Sequence, residues 1–275
     1  MEKTPTKIAV IVGVILIGYA AILALLFYQK PEDIDNPDNK PKEKNQEVFY
    51  IILSPHTFWQ RTDNKWIDST DISIYNKHQF KVYNNNQLVG DYYFSYNDKW
   101  YLYDQNNSFY DYDVDANIIA FYGKETYQVI DFTLAEINAS DQQIITSYLT
   151  TKEITSMLDN FLLQKYTINY PSSKIATIYV VSNAFVTEGD TGNVRFGYIF
   201  GNDGNNNIDI YGYQITDESI YSGCSPMLQN VIDLERDGKI EVITSCAEFS
   251  DGGFSQSLLA EQEDTFKVLI ESEAN

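Results

Sequence analysis

The sequence predicts a mainly β, α+β protein tethered to a membrane by one N-terminal helix, and three observations carry that expectation. Residues 8–28 form an apolar run with no charged and no amide side chain. Beyond them, aromatic residues (22 tyrosines and 15 phenylalanines in the whole chain) dominate the apolar positions, set mostly in short alternating stretches between Asn and Asp clusters. One stretch, residues 140–165, changes to a helical period. The predicted order is a cytoplasmic tail (1–7), a transmembrane helix (8–28), a disordered linker (29–46), an aromatic-rich β domain (47–132), a helical segment (133–166) and a β domain with two degenerate units (167–275).

The span comes first. At 1.5 Å per residue, 21 helical residues cover about 30 Å, the depth of a hydrocarbon core. Lipid offers no partner to a peptide group, so the run must be helical despite its β-branched residues. Tyr28 falls where an interfacial aromatic belongs. Lys3 and Lys7 precede the run, whereas Lys30 is followed by Glu32, Asp33 and Asp35, so the N-terminus is expected in the cytoplasm. A cleaved signal peptide would end in a small-x-small site, but this run ends Leu25-Leu26-Phe27-Tyr28-Gln29-Lys30. A lipoprotein needs a cysteine after the run, and the first is Cys224.

The linker has one aliphatic residue, Ile34, and prolines at 31, 37 and 41. Such a segment buries too little apolar surface to offset its ordering entropy, so it reads as an extended stalk. The remaining residues suffice for one large domain or two small ones. Removing Glu2, Lys3 and Lys7 from the whole-chain totals leaves 38 acids against 17 bases from residue 29 onward. That surface repels nucleic acid and anionic headgroups and excludes a nucleic-acid partner.

From 47 to 132, alternation such as Phe80-Lys-Val-Tyr83 and polar turns at Asp63-Asn64 and Asn84-Asn85-Asn86 predict an antiparallel β-meander. Ser140-x-x-Gln143 and Thr150-x-x-Glu153 match capping boxes, and Ile154, Met157, Leu158, Phe161 and Leu162 follow a helical face. A short amphipathic helix pair is expected there. Strands return at Ile175–Val181, Val194–Phe200 and Ile208–Tyr213. Displacing the chain by 64 residues pairs Ile168 with Ile232, Asn169 with Asp233, Ser173 with Asp237 and Ile178 with Val242, so 167–230 and 231–275 are read as two related β-hairpin units. Cys224 and Cys246, the only two cysteines, are expected to form a disulfide outside the cytoplasm, the alternative being two buried thiols.

One stretch carries recognisable chemistry. In Asp233-Leu-Glu235-Arg-Asp237-Gly-Lys-Ile-Glu241, acids stand at positions 1, 3, 5 and 9 and glycine at 6. Oxygen ligands at alternate positions of a tight loop converge, and carboxylate oxygens suit Ca²⁺. The loop resembles the calcium loop of FG-GAP or VCBS-type repeats, D-x-D-x-D-G-x-x-D, over residues 231–243. Asp233, Asp237 and Gly238 match it directly, while Glu235 and Glu241 are one methylene longer than the family's aspartates. The resemblance implies a Ca²⁺ ligand set of Asp233, Glu235, Asp237, Glu241 and the Lys239 carbonyl. An ordinary Asp-Gly turn accounts for the same residues.

No catalytic constellation stands out. His56 and His78 lie far in sequence from either cysteine, and Ser182 and Ser245 lack a nucleophile-elbow pattern. The expected function is a surface binding or interaction module of a cell envelope at the plasma membrane, facing an extracellular protein or glycan. The alternatives are an envelope glycan or peptide hydrolase using paired carboxylates, and an envelope sensor or assembly factor.

Overall fold

The computed structural model describes residues 49–53, 57–68, 78–96, 100–103, 109–110, 118–123, 127–154, 161–183, 195–215, 224–248 and 254–274. The apolar run, the stalk, Met157 and Leu158 lie outside them. Among the described residues no helix is long and apolar enough to cross a membrane. Residues 47–275 form one compact unit, mainly β, with one described helix and three antiparallel sheets.

Sheet I contains β1 (Phe49–Leu53), β2 (Thr57–Thr62), β3 (Lys65–Asp68), β4 (Gln79–Asn84), β5 (Gln87–Tyr96), β6 (Trp100–Tyr103), β7 (Phe109–Tyr110) and β8 (Ile118–Tyr122). Its turns obey local chemistry. Asp63-Asn64 and Asn85-Asn86 all take positive φ, 50°, 61°, 47° and 65°, the backbone of a two-residue hairpin whose twist matches its strands. The sheet departs from a simple meander at one place: β8 inserts between β1 and β4, giving the order β3-β2-β1-β8-β4-β5-β6-β7. Ile118–Phe121 are buried throughout, and an all-apolar strand gains most in the middle of a sheet, where both faces are covered.

Sheets II and III share one plan. Sheet II runs β10 (Phe132–Ala135), β11 (Leu162–Ile168), β12 (Thr177–Ser182), β13 (Arg195–Asn202), β14 (Asn207–Ile215). Sheet III runs β9 (Gln128–Val129), β15 (Cys224–Asp233), β16 (Glu241–Glu248), β17 (Phe254–Gln262), β18 (Thr265–Ala274). Each is a four-stranded meander with one short strand added beside its first. The expected correspondence of Ile168–Ile178 with Ile232–Val242 falls on the equivalent hairpins β11–β12 and β15–β16. The second meander begins at Cys224 rather than 231, because β15 is continuous through that point, and the first begins at Leu162.

The added strands come from one segment. Val129 pairs with Ile232, the buried Ile130 donates its N–H to the Val231 carbonyl at 2.9 Å, and Phe132 pairs with Ile168. Residues 128–135 therefore strap the two meanders together, and the boundary expected at 132 falls within that strap. The facing sheets share a core of Ile175, Ile178, Val180, Ile199, Ile208, Ile210, Leu228, Val231 and Val242. The other face of sheet III packs Ile232, Leu234, Ile243 and Leu258 against Ile51, Leu53, Trp59, Ile119 and Phe121 of sheet I.

Within the expected helix pair, the described residues correct the end of the second helix and the cap of the first. One helix, α1 (Ala139–Thr151), is described, and Leu162 belongs to β11. Ladder bonds to β10 and β12 on either side outweigh the helical spacing of five apolar residues. The cap also differs: Asn138, not Ser140, accepts from Ser140 N at 2.9 Å and Asp141 N at 3.1 Å, and Asp141 returns a bond to Asn138 N. Thr150 lies inside the helix, its hydroxyl donating to the Thr146 carbonyl. Asp141, Ile145, Tyr148 and Leu149 turn inward, covering the outer face of sheet II, where Tyr148 stacks on Phe200 at 3.8 Å. Burial works against the Asp141 charge. Bonds from Asn138 N–H, the Tyr179 hydroxyl at 2.6 Å and the Lys165 ammonium at 2.9 Å outweigh it and hold the carboxyl below its usual range.

Candidate metal loop

Residues 234–240 connect β15 to β16, and the apolar pattern decides which of them can reach solvent. Leu234 and Ile240 are buried at the two ends, whereas Glu235, Arg236, Asp237 and Lys239 are exposed. Arg236 and Gly238 take φ of 55° and 85°, left-handed backbone within the connection that reverses the chain from β15 to β16. Gly238 is required for a second reason. A Cβ there would stand 3.1 Å from the Ser172 carbonyl oxygen of the turn between β11 and β12.

Asp233, fully buried at 0 % exposure, organises the loop. One carboxylate oxygen accepts from Asp237 N at 3.2 Å, and the other from Gly238 N at 2.9 Å and from the Tyr170 hydroxyl at 2.7 Å. A buried carboxylate survives only when its lone pairs are met by donors, and three donors meet it here. The same bond, taken by the Asp233 carboxylate, raises the Tyr170 hydroxyl above the usual phenol range. Tyr170 sits in the loop between β11 and β12, so this contact joins the two meanders at equivalent positions.

The remaining predicted ligands are also engaged by protein groups. Glu235 pairs with Arg61 of β2. Asp237 accepts from Lys239 N at 3.0 Å. Glu241 accepts from Leu234 N at 2.8 Å, and its carboxyl is pushed up to about 8. Burial is the main cause. The Leu234 bond opposes it, and the neighbouring Asp233, Asp237 and Glu235 charges add to it. Arg236 donates to the Tyr127 carbonyl at 3.3 Å. The loop thus touches sheet I through Arg61, the β11–β12 loop of sheet II through Tyr170, and the chain just before the strap through Tyr127.

The structure brings Asp233, Glu235, Asp237, Lys239 and Glu241 into one loop, but among the described residues no group of three or more His, Cys, Asp or Glu is placed to hold one metal ion. The carboxylates turn toward backbone N–H groups, Tyr170 and Arg61 instead of toward a common centre. In this arrangement the residues do not fit a Ca²⁺ ion, and the loop acts as a hydrogen-bonded junction. Sequence reasoning missed Tyr170 and Arg61. The displacement that pairs Asn169 with Asp233 held a signal for the first, since it sets the two loops in equivalent places.

The cysteines lie on adjacent strands and form the expected disulfide, Cys224–Cys246, with Cα atoms 5.3 Å apart. Tyr213 of β14 braces the site, its hydroxyl donating to the Cys224 carbonyl and accepting from Cys224 N. Of the other candidate residues, His78 packs its ring at a tilt against Tyr122, with centroids 4.2 Å apart, and Ser182 is buried and donates to the Phe196 carbonyl. His56 lies outside the described residues. Comparison of the chain with protein-family models, curated proteins and solved structures finds no match.

Proposed function

We propose that the chain is a single-pass, membrane-anchored extracytoplasmic protein whose β unit serves as a binding or interaction module displayed from a cell envelope. The observation that carries this reading is the uncharged run at residues 8–28, whose partition into lipid follows from its length and composition. The disulfide supports it, since such bonds persist in oxidising compartments. The acidic chain, of net charge −20, suits a basic or neutral partner.

Protease added to intact cells tests the placement: it should remove a C-terminal tag while an N-terminal tag stays protected. A protected C-terminus would overturn it. A Ca²⁺ ion at the Asp233–Glu241 loop is a subordinate part of the proposal and requires the loop to open, with Glu235 leaving Arg61. Thermal unfolding with EDTA and with excess Ca²⁺ tests this, and identical midpoints remove the ion.

A further inference from the structure

Asn138-Ala139-Ser140 lies at the entry to α1, and Asn138 is the one asparagine among the described residues with a serine or threonine two places on. With a residue other than proline between, that triplet is the acceptor pattern for N-linked glycans outside the cytoplasm. Glu136 stands two residues before Asn138. It extends the triplet to the acid-x-Asn-x-Ser form that bacterial oligosaccharyltransferases read.

The fold leaves the reactive atom open. Glu136, Asn138, Ala139 and Ser140 are all exposed. The Asn138 backbone is extended, with φ −101° and ψ 179°. Its Oδ1 accepts from Ser140 N at 2.9 Å and from Asp141 N at 3.1 Å, and its backbone N–H donates to the Asp141 carboxylate at 2.9 Å. These capping bonds use the carbonyl oxygen of the side chain and leave out Nδ2, the atom to which a glycan is joined. A substituted amide keeps its oxygen as an acceptor, so the helix cap persists in the modified chain and the sugar projects into solvent.

We propose that Asn138 is the acceptor of an N-linked oligosaccharide. The donor is an oligosaccharide carried on a polyprenyl pyrophosphate. Nδ2 attacks the anomeric carbon of the first sugar. A C–N bond forms as the C–O bond to pyrophosphate breaks, one Nδ2 proton is lost to solvent, and the lipid pyrophosphate leaves. The proposal rests on the extracytoplasmic placement, because the transfer takes place on that side of the membrane. The same triplet at Asn106-Asn107-Ser108 lies outside the described residues.

The test uses the full chain with Asn106→Gln, which removes the other triplet. It is translated into endoplasmic-reticulum microsomes and, separately, expressed in bacterial cells that carry an oligosaccharyltransferase and its lipid-linked oligosaccharide, so that the two sources of donor are distinguished. Peptide mass spectrometry reads the product. In at least one system the peptide holding Asn138 should gain one glycan. Ser140→Thr should keep it, whereas Ser140→Ala and Asn138→Asp should each abolish it. Both losses leave the cap in place, since residue 140 donates through its backbone N and aspartate caps a helix as well as asparagine does. An unmodified Asn138 in both systems, or a glycan that survives Ser140→Ala, overturns the assignment. A C-terminal tag sealed inside the microsomes beside a bare Asn138 removes the acceptor and leaves the placement standing. A tag open to protease on the cytoplasmic side removes the placement as well.

Discussion

Tyr170→Phe is the sharpest probe of how the two meanders are joined. The substitution keeps the ring, which packs against the core between sheets II and III, and deletes one hydroxyl. That hydroxyl donates at 2.7 Å to a carboxylate with no solvent exposure. A hydrogen bond to a charged group contributes about 1.5–3 kcal/mol, so Tyr170→Phe should destabilise by that amount. Asp233→Asn should cost about 2–6 kcal/mol, because an amide nitrogen in place of the oxygen facing Gly238 N and Tyr170 sets donors against donors, at about 1–3 kcal/mol for each of the two groups left unsatisfied. Urea unfolding of both variants and the double variant, compared by midpoint at constant slope, measures the coupling. The double variant should be more stable than the sum of the single losses implies, by about 1 kcal/mol or more. Additivity within about 0.5 kcal/mol would refute the bond as a link between the meanders.

Other perturbations have defined outcomes. Replacing Cys224 and Cys246 by serine opens a loop with a sequence separation of 22 and should cost about 3.4 kcal/mol on the loop-entropy model. At about 2–4 °C per kcal/mol for a unit of this size, calorimetry should show the midpoint fall by about 7–14 °C, and a reductant should reproduce the fall in the parent chain. Glu241 is held at about 8 from an ordinary 4.5. Its folded-state value is raised, so the fold prefers the neutral acid, and stability present below pH 4.5 is lost as the pH climbs to 8. At about 1.4 kcal/mol per unit the loss is at most about 5 kcal/mol, and Glu241→Gln should flatten the urea midpoint between pH 5 and 8. Gly197→Ala sets a Cβ 2.6 Å from the Pro226 ring of the facing sheet. Overpacking of this kind costs about 1–3 kcal/mol, read as a lower thermal midpoint.

Short-range physics made much of this protein legible without coordinates. The Asp63-Asn64 and Asn85-Asn86 hairpins follow from the tolerance of Asn and Asp for positive φ, a property of single residues. The disulfide follows from counting cysteines, and the paired hairpins of sheets II and III from a displacement that aligns like residues. Leu162 was legible only as part of a helical face, because spacing alone does not say which ladder a segment will join. Residues 162–168 have strand neighbours on both sides, one of them from residues 132–135, and that pairing decided their state.

The sequence by itself determined the apolar run, the acidic balance, the turn positions and the loop of alternating acids, because each depends on residues near one another along the chain. Only the tertiary structure decided that β8 enters sheet I between β1 and β4, that residues 128–135 strap two sheets together, and that Asp233 is held by Tyr170 and Glu235 by Arg61. Those partners lie 63 and 174 residues away. A carboxylate buried beside a distant hydroxyl or guanidinium binds it in preference to anything the local spacing of acids can specify, because removal from water makes each unmet lone pair costly.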